Sequence, residues 1–582
     1  MVDLSKTAPG KITGGAMLAR ALRDKGVERV FSLCGGFINP IYMGCLEYGI
    51  EVVGTRNEME AGFLATATAR CTRKPSVCIA EPSGFTNYVS AVAEAYYAGD
   101  PVIFISASSN SNNFDNQGFK EMPQAEVVRC MTKYSIEVND AQRIGWFLDK
   151  AWDIATQHPT GPVQLCIPTN FLFTKQLNAE AAEGARTFDR TRSKIHRPAP
   201  NPADVAEIAQ LLRAASKPVV IAGPQVWYGQ ADRDLAALCD QWNIPVFVPL
   251  THSKAIDQGH RCAVGLVDYH QNHASRMIGA EADVVLMIGG QLDFPVNFGE
   301  APLFNPKSTL ITVNATAREL SNNALSDVRV CSDLGMFVRA LMDEPGLGKA
   351  MAPDWLERLQ ARRKQHVAEF ADVLTGPAPG GVVHPLRLCY EVLMSLHEED
   401  ICVIDGGDIA SWFEMAINAW AAQGRPVKGI FAPGPWEQMG TGPAFATAIQ
   451  MANPGSRVVL VTGDGSFGLA PGFTPLETAI DRGVPVTVVV ANNSQWGMIQ
   501  NQQKAMWDGK VVATSLRRME YHTIMAAAGA FSLKAADVAG LRSALEAARG
   551  QGLPAFVEVV TEAVSSPITQ GLVEMRIRTA IE

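Results

Sequence analysis

A β-branched run at residues 457–462 stops at Gly463-Asp464-Gly465-Ser466. Two glycines in this short stretch permit a tight backbone whose amides approach a ligand closely, with a carboxylate held between them. Thr474-Pro475-Leu476-Glu477 then has the form of a capping box with proline at the first helical position, and Gly483 supplies a stop, so a helix is predicted over 475–482. The following run, 484–491, is almost wholly apolar and β-branched, as a strand buried on both faces should be, and it ends at Asn492-Asn493. Strand, crossover helix and parallel strand make one βαβ unit. Its handedness brings Asp464 and Asn493 to the carboxyl ends of parallel strands, where open α/β sheets bind ligands. One carboxylate and one amide oxygen then face a common crevice. Mg²⁺ prefers such oxygen donors, takes one or two carboxylates and fills its other positions with phosphate and water, so a diphosphate fits this set.

The elements around this unit repeat the same alternation of short apolar runs and helical patterns, which marks parallel α/β structure. Strands are predicted at 29–33, 52–55, 76–80 and 102–107, then at 218–222, 246–250, 284–288 and 309–313, and finally at 401–404, 457–462, 487–491 and 555–560. With 582 residues the chain exceeds the roughly 250 to 300 residues at which one core stops growing. Three doubly wound parallel-sheet domains are therefore expected at 1–185, 201–345 and 381–565, with linkers at 186–200 and 346–380 and a tail, 566–582, that folds either as a lid or as a plain surface segment.

A composition of 47% hydrophobic and 19% charged residues supports folded cores throughout. The net charge of -9 argues against a nucleic-acid partner, which requires a concentrated basic face, and the Arg-rich run 186–197 reads as a solvated linker. Eleven cysteines without Cys-x-x-Cys spacing suggest neither a disulfide framework nor a zinc site. Residues 1–13 lack a signal-peptide core and no apolar run reaches the roughly 18 residues needed to span a bilayer, so a cytoplasmic location is expected, with no membrane partner.

Gly463-Asp464-Gly465 with Asn492-Asn493 resembles the signature of the thiamine-diphosphate (ThDP) dependent enzymes in residue type, spacing and flanking structure. The resemblance extends over nearly the full chain, as pyrimidine-binding (1–185), middle (201–345) and diphosphate-binding (381–565) domains, and it implies ThDP and Mg²⁺ as cofactors. It implies that Asp464, the Asn493 side chain and the Gln495 carbonyl hold the metal. Gly407 in Asp405-Gly406-Gly407, together with Gly463, Gly465, Ser466, Asn493, Gly497 and Met498, would line the diphosphate. Arg56-Asn57-Glu58 resembles an Arg-His-Glu segment, with Asn57 in place of the usual histidine, and implies that Glu58 contacts N1′ of the aminopyrimidine; that contact drives the ring toward the tautomer that accepts the thiazolium C2 proton. Glu437-Gln438-Met439-Gly440 is similar to the segment that supplies an apolar wedge beneath the two rings, which implies Met439 for the wedge and the Glu437 carbonyl for the 4′-amino group.

Within the superfamily the chain looks most like acetolactate synthases, benzaldehyde lyases and 2-hydroxyacyl-CoA lyases. Cys34-Gly35-Gly36-Phe37 resembles a glycine loop of the first of these, and Gln117-Gly118-Phe119 with Glu121-Met122-Pro123-Gln124 resembles an active-site loop shared by all three. Among residues 1–185 the only histidine is His158, expected on a helix away from Glu58, whereas the pyruvate-type 2-oxoacid decarboxylases and benzaldehyde lyase of this superfamily use first-domain histidines near the glycine turn to move protons. Proton transfer is then left to the cofactor's own amino group, water, and candidates such as Gln117, Glu121 and His522, of which Gln117 can only position groups, and Cys34 is expected to pack. Gly223-Pro224-Gln225 lacks the glycine-rich turn of a pyrophosphate site, so FAD is not expected.

The resulting expectation is a ThDP- and Mg²⁺-dependent carbon–carbon lyase or carboligase acting on a 2-hydroxycarbonyl or 2-oxo compound, with a CoA thioester among the candidate substrates. A non-oxidative 2-oxoacid decarboxylase is the alternative, and a non-catalytic binding protein of the same fold is a further one. The resemblance also implies a homodimer or homotetramer, with Glu58 of one chain facing Met439 and Asp464 of another.

Overall fold

The computed structural model describes residues 7–178, 197–249, 254–322, 325–345, 353–377 and 381–581. The linkers expected at 186–200 and 346–380, the basic run at 186–197, Leu250 and Glu582 lie wholly or partly outside the described residues. The chain divides into two compact units, one of Met1–His196, Gly434–Ala452 and Phe473–Thr478, the other of Arg197–Pro433, Asn453–Gly472 and Ala479–Glu582.

The first unit is built on a six-stranded parallel sheet in the order Glu51–Gly54, Arg29–Ser32, Ser76–Ala80, Val102–Ser108, Val163–Pro168, Tyr134–Glu137. Ser76–Ala80 and Val102–Ser108 are buried at every position, which explains their unbroken apolar runs. The edge strands Glu51–Gly54 and Tyr134–Glu137 are only partly buried. Helix Glu58–Thr72 starts at Asn57, whose side chain accepts from the Met59 amide at 2.7 Å, so the residue standing where the resemblance expects histidine serves as an N-cap. Helix Gly442–Ala452 packs on Glu58–Thr72, and the Arg70 guanidinium lies 4.9 Å over the Phe445 ring. Arg70 also pairs with buried Glu94 at 2.8 Å and Asp100 at 2.6 Å. Deleting one member of such a buried network costs about 3–5 kcal/mol, because the remaining charges lose their compensation.

The second unit carries two further six-stranded parallel sheets. One runs Ala263–Leu266, Val246–Val248, Pro218–Ala222, Val284–Ile288, Thr309–Asn314, Val328–Cys331. The other runs Gly429–Phe431, Ile401–Ile404, Val458–Gly463, Thr487–Asn492, Ala555–Val560, Phe531–Ala535. The latter repeats the connectivity of the first unit's sheet. In both, the strand order reverses between the first and third strands, so each has a crevice at the carboxyl ends of that pair.

The architecture agrees with three parallel-sheet α/β layers, but each sheet has two strands beyond the four predicted for it. The helix predicted at 475–482 spans Thr474–Asp481. In its first turns the Glu477 carboxylate binds Arg56, 2.8 Å from Nε, while Thr478 Oγ1 donates to buried Glu60 at 2.5 Å. A buried carboxylate requires donors, and Glu60 finds one in Thr478. Cys34 is exposed rather than packed, because the chain leaves the sheet after Ser32 and carries it beyond the strand end. His158 lies in the turn after helix Ile144–Thr156, not on the helix.

Candidate functional site

In the first unit, strand Glu51–Gly54 delivers the chain to Glu58, the first residue of its helix. Glu58 is only 6% exposed, and its Oε2 accepts from Asn87 Nδ2 at 2.8 Å. Gly84 makes room for it, since a Cβ there would fall 2.1 Å from Glu58 Oε1. Both partners lie on helix Pro82–Ala98, so the carboxyl is aimed by a neighbouring strand–helix junction. Gln117 stands in the loop after Val102–Ser108 with φ +53°. Glu121 in the same loop accepts from the amides of Asp115 at 2.6 Å and Gly118 at 2.7 Å, which orders the turn.

Glu437 and Met439 belong to a segment clamped by helix Pro82–Ala98. The Gly434 amide donates to Glu94, and the Trp436 ring stacks on Tyr97 with centroids 4.7 Å apart. Glu437 is exposed, with φ +52°, and Met439 is half-buried.

In the second unit the switch-point crevice lies between Ile401–Ile404 and Val458–Gly463, and the predicted diphosphate and metal residues gather there. Gly406 has φ +118°, a conformation that favours glycine, and leads through Gly407 into helix Asp408–Ala421. Asp464 is 4% exposed; burial pushes its carboxyl up to about 6, against the opposing influence of the nearby Asn493 and Ser494 amides. Asn493 Oδ1 accepts from the Gln495 amide at 3.2 Å. A Cβ on Gly497 would lie 3.2 Å from Asn493 Nδ2 and 3.7 Å from the Asp408 carboxylate, and one on Gly407 would lie 3.7 Å from Met498 Cβ. Gly465 backs onto the Trp496 ring, and Ser466 is buried. This set fits a magnesium diphosphate: a desolvated carboxylate near backbone amides, with the Asn493 amide oxygen on the adjoining strand end, is the kind of site a divalent cation completes. Gln495 Nε2 is a buried donor without a hydrogen-bond partner among the described residues.

Sequence reasoning passed over two groups here. Asp408, a first-turn acid that reads as ordinary capping, accepts from Thr569 Oγ1 at 2.8 Å and from the Ser566 amide at 3.3 Å, with burial pushing its carboxyl upward. It thereby fixes the start of tail helix Pro567–Ile581, which packs on Gly497–Met506, where Arg576 binds Gln502. Glu558, fully buried on Ala555–Val560, accepts from Asn492 Nδ2 at 2.8 Å and lies 2.8 Å from His522 Nδ1, so one face of that imidazole is already engaged. Tyr521 rests its hydroxyl 3.4 Å from the Asp464 carbonyl.

Three parallel sheets, two of them with the same connectivity, and a carboxylate and an amide gathered at one switch point define a class of α/β proteins whose switch points suit a diphosphate, and the sequence comparisons give the family. The thiamine pyrophosphate enzyme N-terminal TPP binding domain matches residues 12–127, the central domain 205–341 and the C-terminal TPP binding domain 415–559. The chain belongs to the thiamine pyrophosphate enzyme family. It is 30% identical over 565 residues to a probable acetolactate synthase of Mycobacterium bovis, covering 96% of this chain and 97% of that one. It is 26% identical over 556 residues to human 2-hydroxyacyl-CoA lyase 2, covering 89% and 84%, and 25% identical over 505 residues to a 2-hydroxyacyl-CoA lyase of Arabidopsis thaliana, covering 85% of each. Among the described residues no helix is long and apolar enough to cross a membrane.

Proposed function

We propose that the protein is a ThDP- and Mg²⁺-dependent carbon–carbon lyase or carboligase acting on 2-hydroxycarbonyl or 2-oxo compounds, with a CoA thioester among the substrates to be tried. The carrying observation is Glu58: a buried carboxyl, oriented by Asn87 and cleared by Gly84, at the head of its helix. Glu58 holds or moves a proton at its carboxyl oxygens. Asp464, Asn493 and the Gln495 carbonyl hold Mg²⁺, and Gly407, Gly463, Gly465, Ser466, Gly497 and Met498 line the diphosphate. Met439 would supply the apolar support for the cofactor rings, and the Glu437 carbonyl would accept from the 4′-amino group. When bound, the thiazolium supplies an electron sink for a carbonyl carbon. Gln117 positions groups from the 109–123 loop, and Glu121 orders that loop.

The relatives' names support both a ligase and a lyase direction. The working form is a cytoplasmic homodimer or homotetramer, and the free state of all eleven cysteines accords with a reducing compartment. The test offers purified protein with ThDP and Mg²⁺ to 2-oxoacids, 2-hydroxyketones and 2-hydroxyacyl-CoA esters. Cleavage or ligation is expected to exceed simple decarboxylation in kcat/KM. Free aldehyde from 2-oxoacids alone, at higher efficiency than any other substrate is split, would replace this reading with a decarboxylase.

A further inference from the structure

The first unit's sheet has its own switch-point crevice, between Arg29–Ser32 and Ser76–Ala80, and an ion pair fills its mouth. Glu81 ends the second of these strands and begins helix Pro82–Ala98. Its Oε1 accepts from the amides of Phe37 and, at 3.3 Å, Ile38; its Oε2 accepts from Lys120 Nζ at 2.9 Å. The carboxylate reaches these partners across Gly35, where a Cβ would overlap Glu81 Cγ at 1.8 Å. Glu81 is therefore held at both oxygens, its side chain 7% exposed, while Lys120 stays 28% exposed.

The ammonium is equally well placed. Lys120 takes a left-handed backbone, φ +62°, in the turn that Glu121 ties down. Its Nζ lies 5.3 Å from the Phe37 ring centroid and 5.4 Å from that of Phe119. An ammonium carries three donors, and the contact to Glu81 engages one. The same helix that begins at Glu81 presents Gly84 and Asn87 to Glu58, so one helix carries both the partner of this cation and the residues that orient the proposed proton-handling carboxyl.

We propose that Lys120 is a specificity-determining residue that binds a carboxylate on the carbonyl substrate, and that this carboxylate survives the reaction. The proposal rests on the lyase or carboligase reading above and narrows it. An ammonium stabilises a carboxylate in the ground state and opposes its departure as CO₂, because the charge it binds leaves in the transition state. The carboxylate that profits belongs to a 2-oxoacid acceptor, whose carbonyl carbon gains the new carbon–carbon bond, whose carbonyl oxygen takes a proton, and whose carboxylate is retained. In the cleavage direction the same group stays on the released 2-oxoacid. A crevice with a fixed cation and, among the described residues 7–178, no histidine other than His158 thus favours joining or splitting over decarboxylation.

The test separates charge from structure. Lys120→Gln keeps a donor for Glu81 and removes the charge; Lys120→Arg keeps the charge. Binding of pyruvate and of uncharged methyl pyruvate to the ThDP–Mg²⁺ holoenzyme, followed by ligand-observed NMR at low temperature, is compared across the three proteins. Lys120→Gln should weaken pyruvate about 10- to 100-fold, the range for a lost hydrogen bond to a charged group, and leave methyl pyruvate within about twofold. Lys120→Arg should retain the preference. Equal weakening of both ligands, or a wild-type protein that binds methyl pyruvate as well as pyruvate, overturns the proposal and leaves Lys120 as a pin for its loop. Exchange of the ThDP C2 proton should be unchanged in Lys120→Gln; failure of that exchange in the wild-type protein would count against the Glu58 reading instead.

Discussion

Gly84→Ala tests the placement of Glu58 without touching the carboxyl itself. The added Cβ would lie 2.1 Å from Glu58 Oε1, 2.6 Å from Cδ and 2.8 Å from Cγ, against 3.4 Å for an ordinary contact. The carboxyl must retreat by about 1 Å or more, on the scale at which a misplaced catalytic group loses about 100-fold in rate. Its 2.8 Å hydrogen bond from Asn87 would go with it. Stability should change much less, since overpacking costs about 1–3 kcal/mol while alanine in a helix returns up to about 1 kcal/mol. Exchange of the thiazolium C2 proton of bound ThDP, followed by NMR in D₂O, reads the effect, with thermal unfolding run in parallel. Glu58→Asp in the Gly84→Ala background shortens the side chain by one methylene and should recover part of the loss, a coupling that distant sites do not show. Wild-type exchange in Gly84→Ala would refute the reasoning, because the carboxylate that serves the cofactor would then not be the one against Gly84.

Three further outcomes follow from the same geometry. Glu58→Gln should bind ThDP almost normally yet slow C2 exchange by at least about 100-fold; exchange at the wild-type rate would point to another carboxylate. Asp464→Ala should abolish the Mg²⁺-dependent part of ThDP binding in titration calorimetry, since the amide of Asn493 alone does not neutralise a cation, and unchanged affinity would sink the metal assignment. The pH dependence has a definite sign: with its folded pKa raised to about 6, Asp464 binds its proton more tightly in the folded than in the unfolded chain. In the metal-free protein, stability should therefore fall as pH rises from about 4 to about 6, by up to about 3 kcal/mol, while Mg²⁺-dependent ThDP affinity falls about tenfold per unit below pH 6. Thermal unfolding across pH 4 to 7, with and without Mg²⁺ and ThDP, measures both; a metal-free stability that rises over this window would contradict a carboxyl whose burial outweighs its backbone partners.

The sequence by itself determined the parallel α/β architecture and the position of the βαβ unit around Asp464 and Asn493. Strands such as Ser76–Ala80, Val102–Ser108 and Thr487–Asn492 are buried on both faces, and that burial forces an apolar, β-branched run that no helix or loop needs. Edge strands such as Phe531–Ala535 and Tyr134–Glu137 escaped notice because half-exposed positions tolerate mixed residues. Side-chain partnerships were decided only by the tertiary structure. Glu477 looks like half of a capping box, and only the fold brings Arg56, far away in sequence, beside it. Lys120 and Glu81 look like a loop lysine and a helix-start acid, and nothing local says they meet. Their pairing depends on the order in which parallel strands lie side by side, a long-range choice that leaves its local residues free to look ordinary. Gly35 and Gly84 carry the same lesson: each is required by a carboxylate from another strand end, and only the packed sheet shows which one.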